Sequence, residues 1–333
     1  MTDLEGELQY LVKQCSTKKG NDLWSNRVRS WIDRVVDADG RLNQKALDNF
    51  RRLQVFVNEM PRKELFPIGW TNGFDRGSWK YMKERLQVLK EEGDADLLAK
   101  YPISRIGNPI VAHHEGYRFN KRWINNIRYL GLAKRYLGAY LEEDGAALVD
   151  IGGAYGAFLY LLRNEFPTVK LAIVEFPEQL ILTRYFLQKN WPDAKINRLQ
   201  EVYDVGLIDC NFLDKFDFVL IPVECYDKIK AGTFGTVTNF FSLGEMSEAW
   251  FERYMKGEAL EGATYFMTIN RIQSFPTYDT SLTLIDYGLE QYKSLHFQVS
   301  EHEKYYYARK NRIFMAKEYY TSPFFEFVGK KLP

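Results

Sequence analysis

Along the first 143 residues apolar positions return at intervals of three and four, the period of a helix face. In "LWSNRVRSWIDRVVDADG", Trp24, Val28, Trp31, Ile32, Val35 and Val36 share one face, and Gly40 follows as a stop. "SWKYMKERLQVLKEEG" repeats the pattern with Trp79, Met82, Leu86 and Leu89, capped by Ser78 and ended by Gly93. A third long helix is expected over residues 120–143, preceded by the turn-rich "YPISRIGNPIVAHHEGYRF".

After residue 145 the texture changes to short apolar runs alternating with helical segments. "ALVDIG", "VKLAIVEF", "FDFVLIPVE", "GTVTNFFS" and "ATYFMTIN" predict strands. "AFLYLLRNEFP", "PEQLILTRYFLQKNWP" and "SEAWFERYMKGEALEG" predict helices, the second with Pro177 near its first position. Such alternation predicts an α/β fold with a mostly parallel sheet covered on both faces. "SLHFQVSEHEKYYYA" and "NRIFMAKEYY" follow without a helix between them and predict an antiparallel pair at the sheet's edge. Residues 193–215 read either as a strand or as an insertion. The organisation expected is a helical N-terminal cap or dimerisation region, residues 1–143, and an α/β domain, residues 144–333.

Composition narrows the classes of partner. A net charge of +1 with 27% charged residues makes no electrostatic case for nucleic acid or an anionic membrane. No stretch approaches the roughly 18 apolar residues of a membrane span, and the N-terminus lacks the apolar core of a signal peptide, so a cytoplasmic protein is expected. Cys15, Cys210 and Cys225 are widely spaced and read as ordinary thiols. The 16% of aromatic residues reads first as packing and second as the lining of a site for a flat or sugar-like ligand.

The chemistry concentrates in "ALVDIGGAYGAF", where Asp150 is followed by Gly152, Gly153 and Gly156. A glycine turn at the carboxyl end of a parallel strand is where such sheets bind ligands. The spacing is D-x-G-x-A-x-G, not the G-x-G-x-x-G of pyrophosphate binding. A carboxylate beside the turn repels a pyrophosphate and suits an ammonium group or sugar hydroxyls. Glu175 closes the next strand about 25 residues on, where a carboxylate accepts from both hydroxyls of a ribose. An acid for an ammonium, an acid for a ribose and a glycine turn for an amino-acid tail together describe S-adenosylmethionine.

"VDIGGAYGAF" resembles the first motif of class I S-adenosylmethionine-dependent methyltransferases, and the C-terminal strand pair resembles their sheet edge. More narrowly, "DIGGAYG", "VEFPEQLILTRYFL" and "TNFFSLGEM", with "IGNP" upstream, resemble the sugar O-methyltransferase family over roughly residues 105–320. Ala154 stands where the superfamily often has glycine. The resemblance implies a Rossmann-like methyltransferase sheet and a cofactor set of Asp150, Gly152, Gly153, Gly156, Glu175, Phe176, Glu224 and Asn239. It also implies an O-methyl transfer to a sugar or small natural-product hydroxyl.

A hydroxyl nucleophile needs a base within hydrogen-bond reach. His113 and His114, ahead of the long helix, are candidates against a plain helix-entry reading. Asn239 and Glu245 are candidates beside the methyl position, although Ser242 or Glu245 also fits a helix cap. Tyr117, Ser242, Asn270 and Arg271 are the substrate candidates. His296 reads as structural and His302 as solvent-facing. No pair of these groups has metal-ligand spacing, so no metal is expected, with a divalent cation that lowers a hydroxyl's pKa kept as the alternative. Two other functions stay open: an N-methyltransferase in which Asn239 orients an amine, and a cofactor-binding subunit without catalysis that dimerises through its N-terminal helices.

Overall fold

The computed structural model describes residues 6–7, 10, 41–52, 76–274, 280–300, 307–310, 317–320 and 323–333. The helix expected over residues 24–40 lies outside the described residues, as do Cys15 and His302. In chain order, α1 (Gln44–Asp48), α2 (Arg76–Glu91) and α3 (Ala95–Lys100) precede a hairpin of β1 (Ala112–His114) and β2 (Tyr117–Phe119). Asn120 caps α4 (Lys121–Leu141) by accepting from the Trp123 amide at 2.9 Å. β3 (Ala147–Ile151), α5 (Ala157–Glu165), β4 (Lys170–Glu175) and α6 (Pro177–Asn190) then alternate. Residues 193–215 form an insertion holding α7 (Leu199–Asp204) and α8 (Cys210–Leu213), joined to the neighbouring strand by a bridge from Ile196 to Phe218 and by Asn197, which donates to the Leu220 carbonyl at 3.1 Å and accepts from its amide at 2.6 Å. β5 (Phe218–Pro222), β6 (Thr236–Phe240), α9 (Glu248–Met255), α10 (Glu258–Glu261) and β7 (Tyr265–Arg271) follow. The chain ends with β8 (Tyr292–Ser300), β9 (Tyr307–Lys310), β10 (Lys317–Tyr320) and β11 (Phe324–Lys331).

Seven strands form one sheet in the order β5-β4-β3-β6-β7-β11-β8, with β5 to β7 parallel and β11 antiparallel to both its neighbours. This is a Rossmann-like sheet, mostly parallel, with helices on both faces and an antiparallel strand near its C-terminal edge. The topology reverses between β3 and β6, which opens a crevice at their carboxyl ends.

The antiparallel pair is only half where the sequence puts it. β8 covers the first expected strand, but its partner is "FFEFVGKK", residues 324–331, and not "NRIFMAKEYY". The latter supplies β10, which pairs with β9 in a separate ribbon. The reason lies in burial: Phe324, Glu326 and Val328 on one face and Phe325 and Phe327 on the other are all buried. A strand buried on both faces belongs between two others. The helix expected over "SEAWFERYMKGEALEG" also breaks in two at Gly257, where the chain passes so close to the Tyr226 ring that a Cβ has no room.

Period-two alternation sorts the strands into two cores. Leu148, Leu171, Ile173, Met267, Ile269 and Val328 face α4, α5 and α6, and the same core continues outward through Met82, Leu86 and Leu89 of α2. Val149, Val174, Ile221, Val237, Phe325 and Phe327 face the opposite layer, with Val202, Phe212, Phe251 and Leu260.

A buried ion pair interrupts the first core. Glu326 of β11 is 1% exposed and takes a two-pronged bond from Arg128 of α4, with Nη2 to Oε2 at 2.7 Å and Nε to Oε1 at 3.3 Å. Burial pushes this carboxyl up, but His296 at 3.4 Å and the Arg128 guanidinium outweigh it and hold the group down at about 2. Arg128 thereby ties the long helix to the sheet.

Candidate active site

β3 and β4 run side by side, with Asp150 one residue before the end of β3 and Glu175 at the end of β4, and the chain turns sharply after Ile151. Gly152 (φ +73°) and Gly156 (φ +80°) take left-handed conformations. Space matters as much as angle. A Cβ on Gly152 would stand 2.2 Å from Ser242 Oγ, and one on Gly153 would stand 2.2 Å from Asp150 Oδ2. Ala154 is also left-handed, at φ +53°, which costs an L-residue about 1–2 kcal/mol. Two bonds hold it there: its N–H donates to Glu175 Oε2 at 2.9 Å, and its carbonyl accepts from Thr183 Oγ1 at 2.7 Å. Glu175 is therefore a strut of the turn as well as its neighbour.

Asp150 is 1% exposed. Thr238 donates to its Oδ1 at 2.8 Å, and Oδ2 has no hydrogen-bond partner among the described residues. Burial first, then the charge of Glu175, pushes its carboxyl up to about 7 against the Thr238 bond. Glu175 is pushed up to about 7 by burial too, against hydrogen bonds from the Phe176 and Ala154 amides. The Arg122 guanidinium pulls both acids downward. Two buried carboxylates poised in this way suit a cationic, hydroxyl-bearing ligand. Asp150 Oδ2 can receive an ammonium, and each oxygen of Glu175 keeps a lone pair for a hydroxyl.

The ends of β6 and β7 form a lattice. Asn239 is fully buried, donates to the Ile151 carbonyl at 2.7 Å and to Ser242 Oγ, and accepts from the Leu243 amide and Asn270 Nδ2. Asn270 in turn accepts from the Gly244 amide at 3.1 Å and donates to Thr268 at 2.7 Å. These amides are spent on the protein, where they fix the turn that carries Glu245. Glu245 pairs with Arg271 at 2.6 Å, and the Arg271 guanidinium lies 5.2 Å from the Phe324 ring centre. The Tyr287 hydroxyl beside them is buried with no hydrogen-bond partner among the described residues. Phe240 stacks on Tyr129 at 4.1 Å, and Phe241, left-handed at φ +67°, packs edge-on to Phe324 at 4.9 Å. A bulky aromatic in that conformation is an outlier of the kind that collects at functional sites.

The remaining candidates fall in other groups. His113 and His114 lie on β1 and Tyr117 on β2, in register with His114. His114 sits edge-on to Trp79 at 5.3 Å and 3.3 Å from Glu115, which fastens the hairpin to α2, while His113 is exposed. Glu224, just past β5, accepts from the Tyr203 hydroxyl at 2.7 Å. Half-buried Phe176 caps α6. His296 stacks on Tyr136 at 5.1 Å and serves Glu326.

Sequence reasoning misses Thr238, Thr183, Tyr155 and Arg122. Polar residues inside the apolar runs "TVTNF" and "LILTRYF" signal the first two. "IGNP" finds its place here as well: Gly107 accepts from the Arg51 amide at 3.0 Å, and Phe50 and Arg51 pack on the Tyr155 ring at 5.4 and 5.2 Å. Among the described residues no group of three or more His, Cys, Asp or Glu side chains is arranged to hold a metal, and no helix is long and apolar enough to cross a membrane.

No family model matches the chain, and no curated protein matches it in sequence. Among solved structures, the chain is similar to a SAM-dependent methyltransferase from Aquifex aeolicus at 16% identity, covering 59% of this chain and 88% of that one, with a TM-score of 0.34. It is similar to the mitomycin 7-O-methyltransferase MmcR at 10% identity, covering 76% and 68%, TM-score 0.33. It is similar to PigF with SAH at 11% identity, covering 77% and 97%, TM-score 0.31. Likenesses at these scores carry no argument of their own, and the strand order is what places the fold.

Proposed function

We propose that the protein is an S-adenosylmethionine-dependent O-methyltransferase acting on a hydroxyl of a sugar or other small natural-product intermediate. One observation carries the cofactor half: two buried acids, Asp150 and Glu175, close adjacent strands around a glycine turn, and Asp150 Oδ2 has no protein partner among the described residues. Asp150 holds the ammonium of the cofactor. Glu175 accepts the ribose hydroxyls, with Phe176 beside it and Glu224 toward the adenine. The bound cofactor supplies an electrophilic methyl group on a sulfonium. Tyr129, Phe240, Phe241 and Phe324 exclude water near the ends of β6 and β11, which strengthens the electrostatics inside. Glu245, oriented by Arg271, takes the proton from the acceptor hydroxyl as its oxygen attacks, and His113 and His114 are the rival bases.

The hydroxyl reading is preferred to an amine because the amide of Asn239, which an N-methyltransferase reading needs, is spent on Ile151, Ser242, Leu243 and Asn270. Calorimetry with S-adenosylhomocysteine tests the cofactor, and a methyl-labelled donor offered with matched hydroxyl and amine acceptors tests the chemistry. Binding of NAD in place of S-adenosylhomocysteine refutes the first half, and label appearing on amines alone refutes the second.

A further inference from the structure

Arg122 is the second residue of α4, at the positive end of a long helix dipole, where a cation is disfavoured by about 0.3–1 kcal/mol. Its surroundings give that placement a use. Its Cζ lies 5.5 Å from the centre of the Tyr155 ring, inside the glycine turn, and its field reaches both Asp150 and Glu175. Tyr155 is a fixed platform, fully buried and held by Phe50 at 5.4 Å and Phe186 at 5.0 Å. Among the described residues no carboxylate stands within ion-pair distance of Arg122, which is half-buried. The neighbouring cations are engaged elsewhere: Lys121 lies over the Tyr81 ring at 4.8 Å, and Arg51 donates to the Ser104 carbonyl at 2.7 Å.

An amino-acid tail brings an ammonium and a carboxylate on one carbon. With the ammonium on Asp150, the carboxylate enters the repulsive field of two buried acids and needs a cation at the same turn. We propose that Arg122 binds the α-carboxylate of the cofactor, so that Asp150 and Arg122 together read both charges of the zwitterion. The assignment rests on the S-adenosylmethionine reading above. A planar guanidinium resting on a ring offers a two-pronged carboxylate contact that a lysine ammonium cannot reproduce.

The test compares S-adenosylhomocysteine with its decarboxylated analogue, which keeps the ammonium, by calorimetry on the wild type, Arg122→Gln and Arg122→Lys. The wild type binds the carboxylate-bearing ligand about 30- to 100-fold more tightly. Arg122→Gln brings the two ligands within about threefold by weakening the first alone, and Arg122→Lys, which also serves if the glutamine variant does not fold, keeps part of the preference. A preference that survives in Arg122→Gln, or an equal loss for both ligands, overturns the assignment and leaves the cofactor reading standing. A wild type that binds neither ligand overturns the cofactor reading and this inference with it.

Discussion

Replacing Asp150 with asparagine keeps the shape of the side chain and removes its charge. The Thr238 hydroxyl can still donate to Oδ1, 2.8 Å away. At low pH the neutral carboxyl and the amide are near equals, since each buries one hydrogen-bearing group at the Oδ2 position. As pH rises the two proteins part company. The unfolded wild type gives up its proton near the ordinary 3.8, whereas the folded one holds it to about 7. Between those values the folded state binds more protons, so wild-type stability falls as pH rises. Three pH units at about 1.4 kcal/mol each amount to about 4 kcal/mol, all of it lost by pH 8. The variant has no such loss. Urea denaturation of both proteins from pH 4.5 to 8 reads the difference directly: the variant gains about 3 kcal/mol on the wild type across the window while losing S-adenosylhomocysteine. A stability difference that stays flat with pH refutes the reasoning, because the buried carboxylate then carries no ionisation cost.

Other consequences follow from the same geometry. An ammonium-bearing ligand needs Asp150 ionised, so affinity for S-adenosylhomocysteine rises about tenfold per pH unit below 7 and levels off above it; calorimetry across pH 5.5–8.5 checks the slope. Glu326→Gln leaves buried Arg128 with only Glu92 as its counter-charge and costs about 1.5–3 kcal/mol in denaturant unfolding, and a loss under about 0.5 kcal/mol counts against the pair as a tie between α4 and β11. The Glu326 contribution is complete above the ordinary 4.5 and disappears only as pH falls through about 2, so it is constant over the whole range of the Asp150 experiment. Gly152→Ala sets a methyl 2.2 Å from Ser242 Oγ at a left-handed position, and both folding stability and S-adenosylhomocysteine affinity fall, by about 1–3 kcal/mol for stability.

How far the chain can be read without coordinates depends on whether a residue's reason is local. "ALVDI" is legible as a strand because five apolar-flanked positions precede a glycine cluster, and Asp150 is legible as functional because an acid there has no apolar purpose. The glycines are legible as a turn for the same local reason. Glu326 is the opposite case. It interrupts the apolar alternation of "FFEFV" and hides the strand, and its explanation, Arg128, lies 198 residues upstream. Asn239 likewise sits beside the expected methyl position in sequence, but the partners that consume its amide come from β3 and β7. Arg122 gives no periodic signal; its meaning depends on α4 delivering its first turn to Tyr155 across the core.

The two acids of the crevice differ in a way that a pair of conservative variants can expose. Asp150 has one oxygen bonded to a hydroxyl and one without a partner among the described residues, so an amide fits its place. Both oxygens of Glu175 accept backbone N–H groups, from Ala154 and Phe176, each at 2.9 Å. A glutamine must turn its own NH₂ toward one of those donors. The left-handed Ala154 then loses a bond that holds it, or α6 loses one at its start. Below the ordinary values at which the two acids ionise in the unfolded chain, 3.8 and 4.5, charge is absent from the comparison and only this geometry remains. At pH 3, Glu175→Gln therefore destabilises the protein by about 1–3 kcal/mol while Asp150→Asn changes it little. Equal stabilities for the two variants at that pH mean that Glu175 is no strut, and that the turn holds its shape without that acid.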